Sequence, residues 1–539
     1  MQLINFFSSF LVLIVLNPLA LGKAEDLDRQ NGDLDRDTGI RLTVNSNADN
    51  NQRDNQLTLR EAIAIANGSL PISDLTIAEK RNISPPMDRG TIRIEFDFPP
   101  EQNTIQLLQP LPPITSPGLA IDGLALERGF VEPNPGKHNR EKQPRNGQLF
   151  SINEPLVNIT RDPNAPPILR GLTVMADNVT IRGLSLYGFS AEKATGSTPS
   201  AEIFISGHVP EAFFRQQPVN IETINVPKNI TIEENWLGRD TARKSTFGIW
   251  IFNAKNTLIQ GNRITHHKGS GILSSINAQN LQIDNNLIAN NGSAGMPDGI
   301  RLEGNVSGSI VSNNEIYENG GAGIFLFKPI GSVQILENKI EFNGQRIPHP
   351  AIYLMGEGHE AIANQIRSQN GPGVVVSGNP KSDRNRIQGN QFADLQGLSI
   401  DLNADNGRNS TTPRPYYGDG PNPERNSFNR RLDTGNSGIN APRFLASEFM
   451  MIDGQVNIDG MADPDTVVEI YRVLEDDNAY GPLSEPLLTV ETDAEGRFGV
   501  TLTDIEPRDI ISATATHQDY GTSEPSRNAA IGLLGTGIR

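Results

Sequence analysis

Between residues 230 and 400, apolar and polar positions alternate in very short runs, and the runs recur. One recurring element has the form Ile-x-x-Asn-x-Ile. It reads Ile232/Asn235/Leu237, Ile259/Asn262/Ile264, Ile283/Asn286/Ile288, Ile310/Asn314/Ile316 (one residue longer) and Ile335/Asn338/Ile340, with weaker copies ending at Asn364/Ile366 and Asn390/Phe392. Successive asparagines lie 27, 24, 28, 24, 26 and 26 residues apart. A second element follows each copy: Gly248-Ile249-Trp250-Ile251, Gly271-Ile272, Gly299-Ile300-Arg301-Leu302, Gly323-Ile324-Phe325-Leu326, Ala351-Ile352-Tyr353-Leu354, Gly373-Val374-Val375-Val376 and Gly397-Leu398-Ser399-Ile400. Strands this short cannot stand alone. A unit of roughly 25 residues without helical periodicity buries its aliphatic side chains only by stacking on a copy of itself, at the ~4.8 Å spacing of paired strands. The pattern therefore predicts an all-β chain built around a right-handed parallel β-helix, the hand following from the preference for right-handed crossovers. The recurrent Asn is expected to take the left-handed conformation at a tight corner and to bond the Asn one coil away, a structural role.

The flanks read differently. Thr58 and Glu61 have capping-box spacing, Asn67-Gly68 is a stop signal, and Leu59, Ala62, Ile63 and Ala66 form one apolar stripe, predicting a helix over 58–67. That helix belongs to an N-terminal capping segment, 23–120, with strand-like stretches at 91–96, 104–107 and 119–123. The β-helix is expected over 121–402 with an insertion at about 187–227, followed by an acidic connector at 403–442. Alternating segments at 455–458, 467–471, 487–490, 497–502 and 511–515 then predict an immunoglobulin-like β-sandwich over 443–528, leaving a tail at 529–539. At the other end, Phe6-Phe7 and the apolar run from Phe10 to Leu16 precede Asn17-Pro18 and the small-residue site Ala20-Leu21-Gly22. This reads as a signal peptide over 1–22, too short for a membrane span, and predicts an exported protein without a later span.

Composition narrows the chemistry. The balance of 46 Lys plus Arg against 63 Asp plus Glu gives a net charge of −17, which disfavours nucleic acid or an anionic membrane as partner. The absence of Cys excludes disulfides, thiol catalysis and thiolate metal sites.

The stretch Leu57-Thr58-Leu59-Arg60-Glu61-Ala62-Ile63 resembles the CSLREAI-type segment that opens a family of exported bacterial right-handed β-helix repeat proteins, with Leu57 in place of the usual Cys. Ile400-Asp401-Leu402, and Asp433-Thr434-Gly435-Asn436 leading to Pro442, look like the connector that ends such helices, and Tyr520 to Glu524 resembles the last strand of their appended modules. The resemblance implies the fold and a secreted, periplasmic or cell-surface setting. It implies little about activity.

On Gly-Ile-x-Leu the flanking aliphatics point inward and x points out. The outward column reads Trp250, Leu273, Arg301, Phe325, Tyr353, Val375 and Ser399, and the next reads Phe252, Ser275, Glu303, Phe327, Met355, Ser377 and Asp401. Five aromatics on one face are either covered, by the 187–227 insertion or the C-terminal module, or form a platform on which a sugar ring packs. In the second case Trp250, Phe252, Phe325, Phe327 and Tyr353 stack on polysaccharide or cell-surface glycan while Arg301, Glu303 and Lys328 bond its polar groups. Arg301 with Asp298 and Glu303 also reads as a local ion pair. Asp401, Asp405, Asp419 and Asp433 are candidate calcium ligands, with a solvated acidic linker as the alternative. His266, His267, His349 and His359 read as surface histidines. The functional expectation is glycan binding along the solenoid; the alternatives are a polysaccharide lyase or glycoside hydrolase, and a structural spacer.

Overall fold

The computed structural model describes residues 39–85, 91–126, 153–190, 199–207, 225–239, 242–404, 417–428, 433–474 and 479–533. The signal-peptide expectation at 1–22 lies outside these residues, as do Asp405, the tail beyond 533, and parts of the insertion and connector.

The chain forms a right-handed β-solenoid of about 9 turns. One coil shows the plan. Strand Gln282–Asp284 lies in a first sheet, Leu287–Ala289 in a second and Ile300–Asn305 in a third, and Ser309–Ser312 then returns to the first. Each strand pairs in parallel with its counterpart one coil away: Ile283 with Val311, Ile288 with Ile316, Ile300 with Ile324. These inward side chains are fully buried and form one continuous aliphatic column. Each such Ile adds about 1.5–3 kcal/mol relative to leaving it in water, which is how strands of three residues persist.

The corner between the first and second sheets holds the asparagine ladder. The amides of Asn235, Asn262, Asn286, Asn314, Asn338, Asn364 and Asn390 bond rung to rung, as in Asn262 Nδ2 to Asn286 Oδ1 at 3.0 Å, and each also donates to a backbone carbonyl of the coil before. The left-handed residue is not the ladder Asn, as the sequence suggests, but the one before it: Glu234, Gly261, Asn285, Asn313, Glu337, Ala363 and Gly389 all have positive φ. The turn residue must twist the chain and so points outward. The next residue points inward, where an amide can satisfy buried backbone groups. A second ladder, Asn291, Asn319 and Asn343, repeats the device at the next corner.

The solenoid starts earlier than the repeat pattern indicates. Ile40–Val44, Ile92–Phe96 and Leu119–Asp122 already pair in parallel in the first sheet, and Thr104–Leu107 pairs with Val157–Arg161 in the second. Long excursions between these strands hide the period. The helix Leu59–Ala66 forms with its Thr58/Glu61 capping box and packs its apolar side into the same core, while Arg60 makes a two-pronged pair with Asp49. Ala201–Ser206, inside the expected insertion, is a further rung of the third sheet.

At the other end, a three-stranded sheet and a six-stranded sheet share a second apolar core. The stretch expected as a tail contributes a strand, Ala529–Leu533, which pairs in parallel with Glu448–Met451. This module closes the last coil: Ile387 N donates to Thr522 Oγ1 at 2.8 Å, Phe392 N to Leu483 O at 3.0 Å and Leu402 N to Glu524 Oε1 at 3.0 Å. Those N–H groups would otherwise form an open sheet edge. Among the described residues no helix is long and apolar enough to cross a membrane.

Candidate functional site

The third sheet carries the outward column identified from sequence. Its register runs Trp250, Leu273, Arg301, Phe325, Tyr353, Val375 and then Asp401, because Val375 pairs with Asp401 and Ser399 takes the glycine position of the motif. The motif was displaced by two residues on that last coil.

The aromatics do not form an open platform. They divide into two clusters. Trp250 packs against Phe204, Phe247 and Phe252, with Nε1 donating to Ser275 Oγ at 2.8 Å. Phe325 stacks on Tyr353 with ring centres 4.7 Å apart and planes at 11°. Exposure is 8% for Trp250, 4% for Phe252, 0% for Phe325 and 2% for Tyr353, so these four side chains are covered. Phe327 is half-buried and Lys328 exposed.

Around the second cluster the structure assembles a charged network. Asp298, fully buried, accepts from Ala322 N at 3.0 Å, meets Arg301 Nη1 at 3.2 Å and His349 Nδ1 at 3.3 Å. Arg301 Nε reaches Glu303 Oε1 at 2.6 Å, and its guanidinium lies 4.7 Å from the centres of both Phe325 and Phe327. The local ion pair expected from sequence is thus present, and His349, which reads as a surface residue in the sequence, joins it from 51 residues away. Burial pushes the Asp298 carboxyl up, but the His349 hydrogen bond and charge, with Arg301 and the Ala322 N–H, hold it below its usual value. Burial opposes the charge on Arg301, yet Glu303 and Asp298 raise its pKa overall. A carboxylate can only accept, so Nδ1 of His349 is the donor.

His267 and His359 are also interior. His267 is fully buried, its Nδ1 2.8 Å from Asn291 Oδ1 and its Nε2 3.2 Å from Glu202 Oε1. Glu202 occupies a position that is glycine on the adjoining rungs, Gly171 and Gly248, and the pair ends the second asparagine ladder. Burial raises the Glu202 pKa against the pull of His267. His359, also buried, is pushed down to about 4 by desolvation. His266 is partly exposed, at a groove of about 410 Å³ lined also by Lys244, Glu318, Gln345 and Arg346.

Of the candidate calcium ligands, Asp401 and Asp419 come together, and the third carboxylate beside them is Glu524 of the C-terminal module rather than Asp433. Among the described residues no three acidic or histidine side chains are placed to hold a metal ion. Asp401 accepts from the backbone N–H groups of Asp419 and Gly420, both at 3.1 Å. Burial first, then the Asp419 charge, pushes Asp401 up to about 7, and burial with Asp401 pushes Glu524 to about 8.

A family model described as "right handed beta helix region" matches residues 170–297 and 228–392. No curated protein matches the chain. Solved structures similar to it include the surface adhesin PfbA of Streptococcus pneumoniae, at 14% identity over 58% of this chain and 81% of that one with a TM-score of 0.35. Others are the A-module of the Azotobacter vinelandii mannuronan C-5 epimerase AlgE4, at 13% identity over 58% and 89% with a TM-score of 0.27, and the Dettilon tailspike protein, at 9% identity over 81% and 86% with a TM-score of 0.36.

Proposed function

We propose that this chain is an exported β-helix protein that binds glycan along its solenoid, with the helix Leu59–Ala66 as N-terminal cap and an immunoglobulin-like module as C-terminal cap. The observation that carries the reading is the half-open edge formed by Arg301, Glu303, Phe327 and Lys328. There a charged guanidinium, a carboxylate and a partly exposed ring lie side by side, the combination that pairs sugar hydroxyls while stacking a C–H face. Phe325→Ala and Tyr353→Ala do not test this, because both rings are buried. Phe327→Ala and Lys328→Ala do: polysaccharide pull-down with intact protein should weaken for both, and unchanged retention of both variants would remove the proposal.

One observation favours a second reading, a polysaccharide lyase. The Asp298–His349 pair orients an imidazole beside Arg301, a constellation in which His349 takes a proton and Arg301 steadies a developing negative charge. Release of unsaturated products from uronate polymers, lost in His349→Ala while melting is preserved, would establish it. Absence of turnover across neutral and acidic polysaccharides would leave binding alone.

A further inference from the structure

The second sheet has its own outward residues, and none of them enters the site described above. Trp236 and Arg263 occupy one row on neighbouring rungs, and the guanidinium of Arg263 lies 4.7 Å over the indole. The parallel row carries Thr265, Ala289 and Tyr317 on successive rungs. Thr265 and Ala289 are buried there, and Tyr317 is half-exposed.

Arg263 is unusual among the arginines of this face. Arg239 stacks over Tyr187 at 5.1 Å, pairs with Glu154 and donates to Asn158 Oδ1 at 3.0 Å. Arg263, by contrast, has no side-chain hydrogen bond or ion pair among the described residues; its neighbours are the Trp236 ring, Tyr317, Glu154 and the like charge of Arg239. Half-buried and unpaired, it is held below its usual pKa chiefly by desolvation. A guanidinium stacked on an aromatic keeps its fork of donors at the edge, where a planar carboxylate matches it with two parallel bonds. Trp236 Nε1 and Thr265 Oγ1 are likewise buried without a hydrogen-bond partner among the described residues. The groove of about 410 Å³ begins one residue beyond these strands, at His266, Asn290 and Glu318, and adds Lys244 and Arg346. Lys244 and Arg346 stand there against one carboxylate, Glu318, so the groove is locally positive in a chain of net charge −17.

We infer that the Trp236–Arg263–Tyr317 face is a binding site for a carboxylated sugar of an acidic polysaccharide, Arg263 taking the carboxylate and the adjoining groove the next residues of the chain. The site lies on a different sheet from Arg301 and Phe327 and does not depend on the reading given for that edge.

The chain has only 2 tryptophans, Trp236 and the buried Trp250, so Trp250→Phe leaves Trp236 as the sole tryptophan of the full-length protein, read apart from its 8 tyrosines by excitation at the red edge of indole absorption. Titration with a galacturonate oligosaccharide should give a saturable change in that fluorescence, weakened by salt, and a neutral galactose oligosaccharide of equal length should not. Losing a charge-assisted pair of bonds should weaken galacturonate binding in Arg263→Ala by about tenfold or more, with Arg263→Lys in between and the melting temperature unchanged. Phe327→Ala and Lys328→Ala should leave the signal intact, which separates this site from the other edge. Equal affinity in Arg263→Ala, no response to galacturonate, an equal response to the neutral oligosaccharide, or a preference for a sulfated one would each overturn the inference.

Discussion

Two outward faces of one solenoid carry aromatic side chains, with opposite results. On the third sheet Phe325 and Tyr353 are 0% and 2% exposed. On the second, Trp236 and Tyr317 remain half open beside Arg263. Both sets occupy outward positions of regular parallel strands, so strand parity does not decide exposure. Corner length does. The second sheet is entered through tight corners such as Glu234-Asn235 and Asn285-Asn286, which cannot reach over it. The third is entered through longer segments such as 342–351, which lay His349 against Phe325 with ring centres 5.8 Å apart. An outward aromatic between long corners becomes a satellite core, and one beside short corners stays available.

The largest test of that contrast is truncation. Phe325→Ala should cost about 3–5 kcal/mol in denaturant unfolding, whereas Trp236→Ala should cost less than about 2, because a half-exposed ring loses less burial and leaves no closed cavity. Equal losses would mean the second face is as enclosed as the third. The same contrast holds for asparagines. Asn286→Ala removes the acceptor of Asn262 N and a donor to Ile259 O inside the wall, so about 2–3 kcal/mol is expected. Asn256→Ala, in the exposed chain Asn229–Asn256–Asn280, loses solvent-exposed amide bonds but places Ala at a φ of 54°, so a smaller cost of about 1 kcal/mol is expected, from the backbone rather than from the bonds.

Asp401 extends the comparison to charge, since it stands in the same covered row as Tyr353 and Val375. Its carboxyl is held up to about 7 and that of Glu524 up to about 8, against about 4 in an unfolded chain. Below pH 4 both states hold the protons and nothing is lost. As pH rises from about 4 to about 8 the unfolded chain releases them first, so melting temperature should fall across that window. Glu524→Gln should flatten the slope, and a profile unchanged by that substitution would show the junction to be indifferent to its protons. The smallest effect belongs to the open face: Arg263→Ala should shift unfolding by about 0.5 kcal/mol, since it loses its stacking on Trp236 but no hydrogen bond or ion pair among the described residues.

The sequence by itself determined the coil. A period of roughly 25 residues, inward Ile at fixed offsets and an Asn at each corner admit few structures besides a parallel stack, because apolar burial and backbone satisfaction both depend on local spacing. The stretches at 91–96, 104–107 and 119–123 were legible as strands, but their place in the coil, like the strand Ile40–Val44 and the rung Ala201–Ser206, was hidden because long excursions separate them from their partners. Arg301 with Asp298 and Glu303 was legible, being within a few residues. His349 beside Asp298, Glu202 beside His267, and Glu524 beside Asp401 were not, since each pair is distant in sequence and adjacent only once the coils and the C-terminal module have docked. Which outward side chains meet solvent was decided in three dimensions alone. Alternation along a strand tells a residue which side it faces, while exposure depends on what later segments of chain lie across that side.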